Sequence, residues 1–227
     1  MPIFLPAAML CLFDIDGTLV DTGGAGMAAL NEATREMFGG QGPPLDLAGS
    51  TDLGIIANIH AHFEVDPTPD RIRAYFEIYH GRLDWNLAHG GYPGRVLEGV
   101  AELLAALELR SGTVVGLLTG NTAGGAERKM RHYQLHRHFA FGAYGCDHAD
   151  RNLLGPVAMA RAAVHAGRPF TAEETLVIGD TPKDIACAHA IGARCLAVST
   201  GRFSAAELEL HGADHVVESL SQALDWI

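Results

Sequence analysis

The sequence is short of the features that would announce several common kinds of protein. Its 227 residues include four cysteines, Cys11, Cys146, Cys187 and Cys195, and none has the close partner that zinc or thiol redox sites use. They read as reduced, buried thiols of a cytoplasmic protein. Positive charge is scarce: 16 Lys and Arg against 27 Asp and Glu give a net charge of −11, which opposes nucleic acid and anionic membrane surfaces. The apolar N-terminal stretch from Met1 to Phe13 lacks the basic leader of a signal peptide. It stops at Asp14, well short of the roughly 20 residues a membrane span needs. There is no internal repeat and no low-complexity segment. Gly23, Gly24 and Gly26 do not complete a dinucleotide fingerprint, and Gly120 to Gly125 lacks the Gly-Lys-Ser/Thr ending of a phosphate loop. Histidines are plentiful, but His60 with His62, His136 with His138 and His211 with His215 have no companion cysteines or acids. They read as surface or packing residues. The expectation is a globular cytoplasmic protein with neither nucleic acid nor membrane as partner.

What is present is ordinary in bulk and informative in order. A content of 48% hydrophobic and 19% charged residues suits a folded domain with a large core. Met9 to Phe13 is an apolar run of strand length. Three helical periodicities come next: Met27, Leu30, Thr34, Met37 and Phe38; then Ile55, Ile56, Ile59 and Phe63; then Ile72, Phe76, Tyr79 and Leu83. Thr68, Pro69 and Asp70 announce the third helix as cap, first-turn proline and first-turn acid. Gly49-Ser50-Thr51-Asp52 reads as loop. Residues 22–88 therefore read as an all-helical module, and the turn-rich stretch from His89 to Gly94 as the return boundary.

Beyond that boundary, strands and helices alternate. Apolar strands are expected at Val114 to Leu118, around Ala140 to Tyr144, at Thr175 to Ile178, Arg194 to Val198 and His215 to Val217. Helices fall between them, one opened by Ser204 and Glu207 at capping-box spacing. Such alternation means an α/β fold, a parallel sheet with helices on both faces.

In an open parallel sheet, ligands bind beyond the carboxyl ends of the strands. Three expected strands end in polar groups: Asp14 and Asp16, then Thr119, Gly120 and Asn121, then Asp180 with Asp184. Two acids ending a buried strand repel each other and resist desolvation unless a cation or proton lies between them. Three or four carboxylates suit magnesium, which typically completes its shell with water and substrate phosphate oxygens. Thr119 and the backbone amides after it offer neutral donors to an anion. Metal and anion donors together point to phosphoryl chemistry.

At these residues the chain resembles the haloacid dehalogenase superfamily. The resemblance rests on Asp14-Ile15-Asp16-Gly17-Thr18-Leu19, on the strand-ending Thr119, and on Gly179-Asp180-Thr181-Pro182-Lys183-Asp184. It spans essentially the whole chain and implies a Rossmann-like core of residues 1–21 and 89–227 with an α-helical cap inserted at 22–88. Tyr92-Pro93-Gly94 looks like the re-entry into the core. The resemblance further implies that Asp14 is a nucleophile forming an aspartyl phosphate and Asp16 the general acid and base. Thr18 would fix the nucleophile's geometry, and Thr119, Gly120 and Asn121 would hold the phosphoryl group. Asp14, the backbone carbonyl of Asp16, and Asp180 would bind Mg2+, with Asp184 in support. One departure stands out: the family's Lys-Pro motif is missing. Arg151 is favoured as the active-site cation by its spacing, with Lys183 as the rival.

The second acid, Asp16, points to phosphate esters, whose alkoxide leaving group needs a proton. The leading expectation is a magnesium-dependent phosphatase acting on a small phosphorylated metabolite, with phosphoglycolate-like esters as a family-level example. A phosphosugar mutase is the alternative within the superfamily. From another class come a receiver-type phospho-aspartate regulator and a non-catalytic binding relative. Gly49 to Asp52, or Arg71 and Arg73, are the candidate substrate readers in the cap.

Overall fold

The computed structural model describes residues 9–226. Of the apolar stretch Met1 to Phe13, the part before Met9 lies outside the described residues, as does Ile227. Six strands form one parallel sheet in the order β5-β4-β1-β6-β7-β8: β1 Met9–Phe13, β4 Thr113–Thr119, β5 Gly142–Tyr144, β6 Thr175–Gly179, β7 Arg194–Val198 and β8 His215–Val217. All five pairings are parallel.

β1 lies inside the sheet, and both of its faces are covered. Met9, Cys11 and Phe13 join a cluster with Val100, Leu103, Leu104, Leu107 and Met130. Leu10 and Leu12 join the opposite one with Leu154, Ala158, Ile185 and Ala188. Successive strand residues point to opposite faces, so burial on both sides demands the unbroken apolar run seen in the sequence. At about 1.5–3 kcal/mol per fully buried large aliphatic or aromatic side chain, β1 is a rigid base for the acids at its C-terminal end.

Around the sheet lie α4 Val100–Leu109, α5 Ala123–His132, α6 Leu154–Ala166, α7 Pro182–Ala190 and α8 Ala205–Leu210. Ser204 and Glu207 form the capping box expected of α8. A second capping box, Thr181 with Asp184, opens α7, so Asp184 serves the helix as well as the acidic motif.

Between the first and second strands of the core come α1 Ala25–Phe38, α2 Asp52–His62 and α3 Pro69–His89. They bury a cluster of their own built on Ala29, Leu30, Ile56, Ile59, Tyr75, Tyr79 and Leu83. Thr68 caps α3 as its sequence suggested. Asp52 belongs to the first turn of α2, with Thr51 as cap, so the loop reading of that tetrapeptide ran one residue too far. A small antiparallel ribbon, β2 Val20–Asp21 with β3 Arg95–Val96, ties together the two chain passages between helices and sheet. Strands of two residues carry no readable periodicity. Among the cysteines, Cys11, Cys187 and Cys195 are buried, but Cys146 is exposed, which corrects the buried reading for that one. Among the described residues no helix is long and apolar enough to cross a membrane.

Candidate active site

The strand order sets β4, β1 and β6 side by side, so the polar residues ending them converge. The chain departs in opposite directions from β1, toward β4 and β5 on one side and β6 to β8 on the other, which is where an α/β sheet opens its ligand crevice.

Asp14 follows β1, with its amide donating to the Ile178 carbonyl at 2.9 Å. Its carboxylate meets those of Asp180 and Asp184, one oxygen of each lying within 4.8 Å of the others, and all three residues are buried. Burial pushes the Asp14 carboxyl up, Arg151 opposes the rise, and Asp184 and Asp16 add to it. Asp180 is also raised, by burial and then by Asp184 and Asp14. A set of three buried, mutually repelling oxygen donors is what a hard divalent cation relieves, so the residues fit magnesium. Gly17 leaves room for this crowding. Its φ of 83° is left-handed, and a Cβ there would stand 2.3 Å from Asp180 Oδ2.

Arg151, not Lys183, enters the site. The Arg151 guanidinium is buried and pairs through Nη2 with Asp14 Oδ1 at 3.1 Å and with Asp184 Oδ1. Burial alone would lower its pKa, but Asp184 and Asp14 hold it raised, so its charge is permanent. Lys183 lies half-exposed, donating to Ser50 Oγ at 2.7 Å, with Asp46 at 3.9 Å. Asp184 spends Oδ2 on the Thr181 amide and hydroxyl and Oδ1 on Arg151, which fits a supporting place.

One sequence expectation needs correction. The Thr18 hydroxyl is fully buried and donates to Asp180 Oδ1 at 3.1 Å, so it orients Asp180 instead of Asp14 or substrate. The tight turn after Asp16, with the Leu19 and Val20 amides both bonded to the Ile15 carbonyl, carries it toward β6. The Asp16 side chain stands outside the acidic cluster, so its carboxylate is no part of the three-acid donor set. It is instead clasped by Lys129 Nζ, at 2.6 and 2.8 Å, and by Asn121 Nδ2 at 2.8 Å.

Lys129 is the residue that sequence reasoning missed. It is buried on α5 in one stripe with Gly125, Ala126 and Met130, and also donates to Asn121 Oδ1 at 2.6 Å. A lysine on the inward stripe of a helix was the available signal, because lysine is almost never buried without a partner. Asn121 thus bridges Asp16, Lys129 and the Thr119 hydroxyl, to which Asn121 Nδ2 donates at 2.9 Å. Thr119 is itself fully buried and hydrogen-bonds Asp14.

Residues 49–52, at the start of α2, lie against this group. The Asp52 amide donates to the Gly120 carbonyl at 2.7 Å, and Asp52 Oδ2 accepts from the Thr122 amide at 2.7 Å. Arg151 Nη1 donates to the Gly49 carbonyl at 3.2 Å. Contact at Gly120 is so close that a Cβ would sit 1.9 Å from the Ser50 carbonyl oxygen. The cavity is about 400 Å³, open on one side, and is lined by Asp14, Asp16, Asp180, Gly120, Asn121, Lys129 and Arg151 below, and by Gly49, Ser50 and Asp52 above. Thr51 turns aside to the Ala149 carbonyl at 2.6 Å. Arg71 reaches the Asp66 carbonyl and Arg73 pairs with Asp70, both exposed, so neither arginine lines the cavity.

Residues 11–198 match the family model of the haloacid dehalogenase-like hydrolases. The chain belongs to that family. It is therefore an enzyme of the hydrolase class. The N-acetylmuramic acid 6-phosphate phosphatase of Pseudomonas aeruginosa is 29% identical over 222 residues, covering 94% of this chain and 92% of the relative. A 5'-nucleotidase of the same organism is also 29% identical over 222 residues, covering 92% and 91%. Among solved structures, a predicted phosphoglycolate phosphatase from Haemophilus somnus superposes with a TM-score of 0.70 at 18% identity, covering 97% of this chain and 98% of that one. CbbY from Rhodobacter sphaeroides in complex with phosphate does so with 0.68 at 21% identity, covering 95% and 96%. At such identities the superpositions speak for the fold: a haloacid dehalogenase-like α/β core.

Proposed function

We propose that this hydrolase is a magnesium-dependent phosphatase that cleaves a small phosphate monoester through an aspartyl phosphate on Asp14. The carrying observation is the division of labour between two acids one residue apart. Asp14 is buried among Asp180, Asp184 and Arg151, whereas Asp16 is held apart by Lys129 and Asn121 and is partly open to the cavity. This division supports attack by one acid and proton transfer by the other. The relatives named as phosphatases point to the same chemistry.

In the first step an Asp14 oxygen attacks phosphorus, the bond to the leaving oxygen breaks, and Asp16 gives that oxygen its proton. In the second, Asp16 takes a proton from water as the water oxygen attacks the phosphoryl group, releasing inorganic phosphate and regenerating Asp14. Bound magnesium would be held by Asp14, Asp180 and the backbone carbonyl of Asp16, and would neutralise charge shared by carboxylate and phosphoryl oxygens. Arg151 favours the ionised form of Asp14 against its burial, and Gly120 and Asn121, which line the cavity beside Asp14, would hold the phosphoryl oxygens. Thr119 orients Asp14 and Asn121 from beneath. Residues 22–88 act as the cap that shuts bulk water out, and the core is 1–21 with 89–227.

A stable signalling phosphate would be poorly served by an acid beside it that can activate water, so the regulatory reading loses to the enzymatic one. The test is magnesium-dependent release of inorganic phosphate from an aryl phosphate, followed in the wild type and in Asp14→Asn. The proposal expects release that requires the metal and vanishes in the variant. Equal release from both proteins would overturn it.

A further inference from the structure

The charges lining the cavity say something about the part of the substrate that leaves. Five carboxylates face it, those of Asp14, Asp16, Asp46, Asp52 and Asp180, against three cations, Lys129, Arg151 and Arg202. Each of the cations is already engaged. Arg151 pairs with Asp14 and Asp184, Lys129 with Asp16, and Arg202 stands exposed at the mouth with Asp46 at 3.4 Å. One divalent metal would balance the remaining acids of the lining, and the next cation, Lys183, lies outside it, donating to Ser50 Oγ at 2.7 Å with Asp46 at 3.9 Å.

The cap sharpens this. Its share of the wall comprises two carboxylates, Asp46 and Asp52, and no lysine, arginine or histidine. Asp52 is buried. The rest of that wall is largely apolar, from Met27, Leu30, Leu45, Leu47, Ile55 and Tyr79, with Thr22 and Ser50 among them. An anion placed against such a wall loses its hydration and meets like charge, which costs far more than it would in water. A neutral or cationic group meets no such cost and can hydrogen-bond the acids.

Resting on the phosphatase reading, we infer that the enzyme selects monophosphates of uncharged or cationic alcohols, with an apolar body carrying hydroxyl, amide or amino groups. It discriminates against esters whose leaving group bears a carboxylate or a second phosphate, and Asp52 is the discriminating residue.

Three substrates of equal length isolate the charge: 2-aminoethyl phosphate, 2-hydroxyethyl phosphate and 2-phosphoglycolate. They would be compared with magnesium present by kcat/KM, or by Ki against aryl phosphate hydrolysis where turnover is slow. The neutral and cationic esters should each exceed phosphoglycolate by about tenfold or more, the scale of one uncompensated like charge near the site. Asp52→Asn should shrink that ratio. Asp46→Asn, at an exposed side chain already faced by Arg202 and Lys183, should not shrink it. Phosphoglycolate equal to or better than the other two would overturn the inference while leaving the phosphatase intact. A ratio unchanged in Asp52→Asn would overturn the role of Asp52. Failure of every ester together with the aryl phosphate would instead sink the phosphatase reading itself.

Discussion

Replacing Asp52 by asparagine removes one charge from the contact between the start of α2 and the residues after β4 while keeping an acceptor for the Thr122 amide, now 2.7 Å from Oδ2. In the native protein, burial lifts the Asp52 carboxyl from 3.8 to about 6; the Thr122 hydrogen bond and Lys129 hold it down and Asp16 pushes it up. A tenfold change in proton affinity is worth about 1.4 kcal/mol, so the rise amounts to about 3 kcal/mol. Linkage sets the sign. The folded state binds this proton more tightly than the unfolded chain, so the acid costs nothing below about pH 4 and the full penalty above about pH 6. Urea denaturation of the wild type and Asp52→Asn, in chelator and across that interval, isolates the effect because other titrating groups cancel in the difference. The wild type should lose about 3 kcal/mol relative to the variant as pH rises. Parallel stability curves would refute the account of Asp52 as a buried, ionisable charge on the cavity wall.

Two other substitutions separate roles at the site. Arg151→Ala strands Asp14 and Asp184 without their shared cation, a change that typically costs 3–5 kcal/mol. It should lower both melting temperature and kcat/KM, whereas Lys183→Ala, made at the surface, should shift stability by no more than about 0.5 kcal/mol and leave turnover near normal. The reverse ranking in thermal melts and steady-state kinetics would move the cationic role to Lys183. Lys129→Met fills the same inward stripe of α5 without a charge and frees Asp16. Its kcat should fall by about 10² or more with a small change in KM, because the lost contact orients the proton-transfer group. A rise in KM alone would make Lys129 a substrate-binding group instead.

The sheet and its active crevice were legible because strands buried on both faces must be apolar throughout, and because β1, β4 and β6 each end abruptly in polar residues. Asp14, Asp180, Asn121 and Gly120 needed nothing more than strand ends brought together by topology. Arg151 came from motif spacing, and the structure brings its charge to Asp14. Lys129 was hidden because a cation among Arg128, Arg131 and His132 reads as a solvated helix face. Its partner lies 113 residues away in sequence, so its pairing exists only in the fold. Asp52 reads as a loop acid, and its contact with Thr122 depends on how the cap docks, which no local pattern carries. Thr18 was assigned the wrong carboxylate for a similar reason. Hydroxyl direction is set by the turn at Gly17 and by the neighbouring strand, not by proximity in the chain.

The central claim is that Asp14 takes the phosphoryl group and Asp16 is needed to let it go. Incubating Asp16→Asn with magnesium and an aryl phosphate, quenching in acid and mapping peptides by mass spectrometry tests it directly. The account predicts a phosphoryl group on the peptide containing Asp14, with turnover largely lost. A variant that carries no phosphoryl group there and still releases phosphate at the wild-type rate would contradict it.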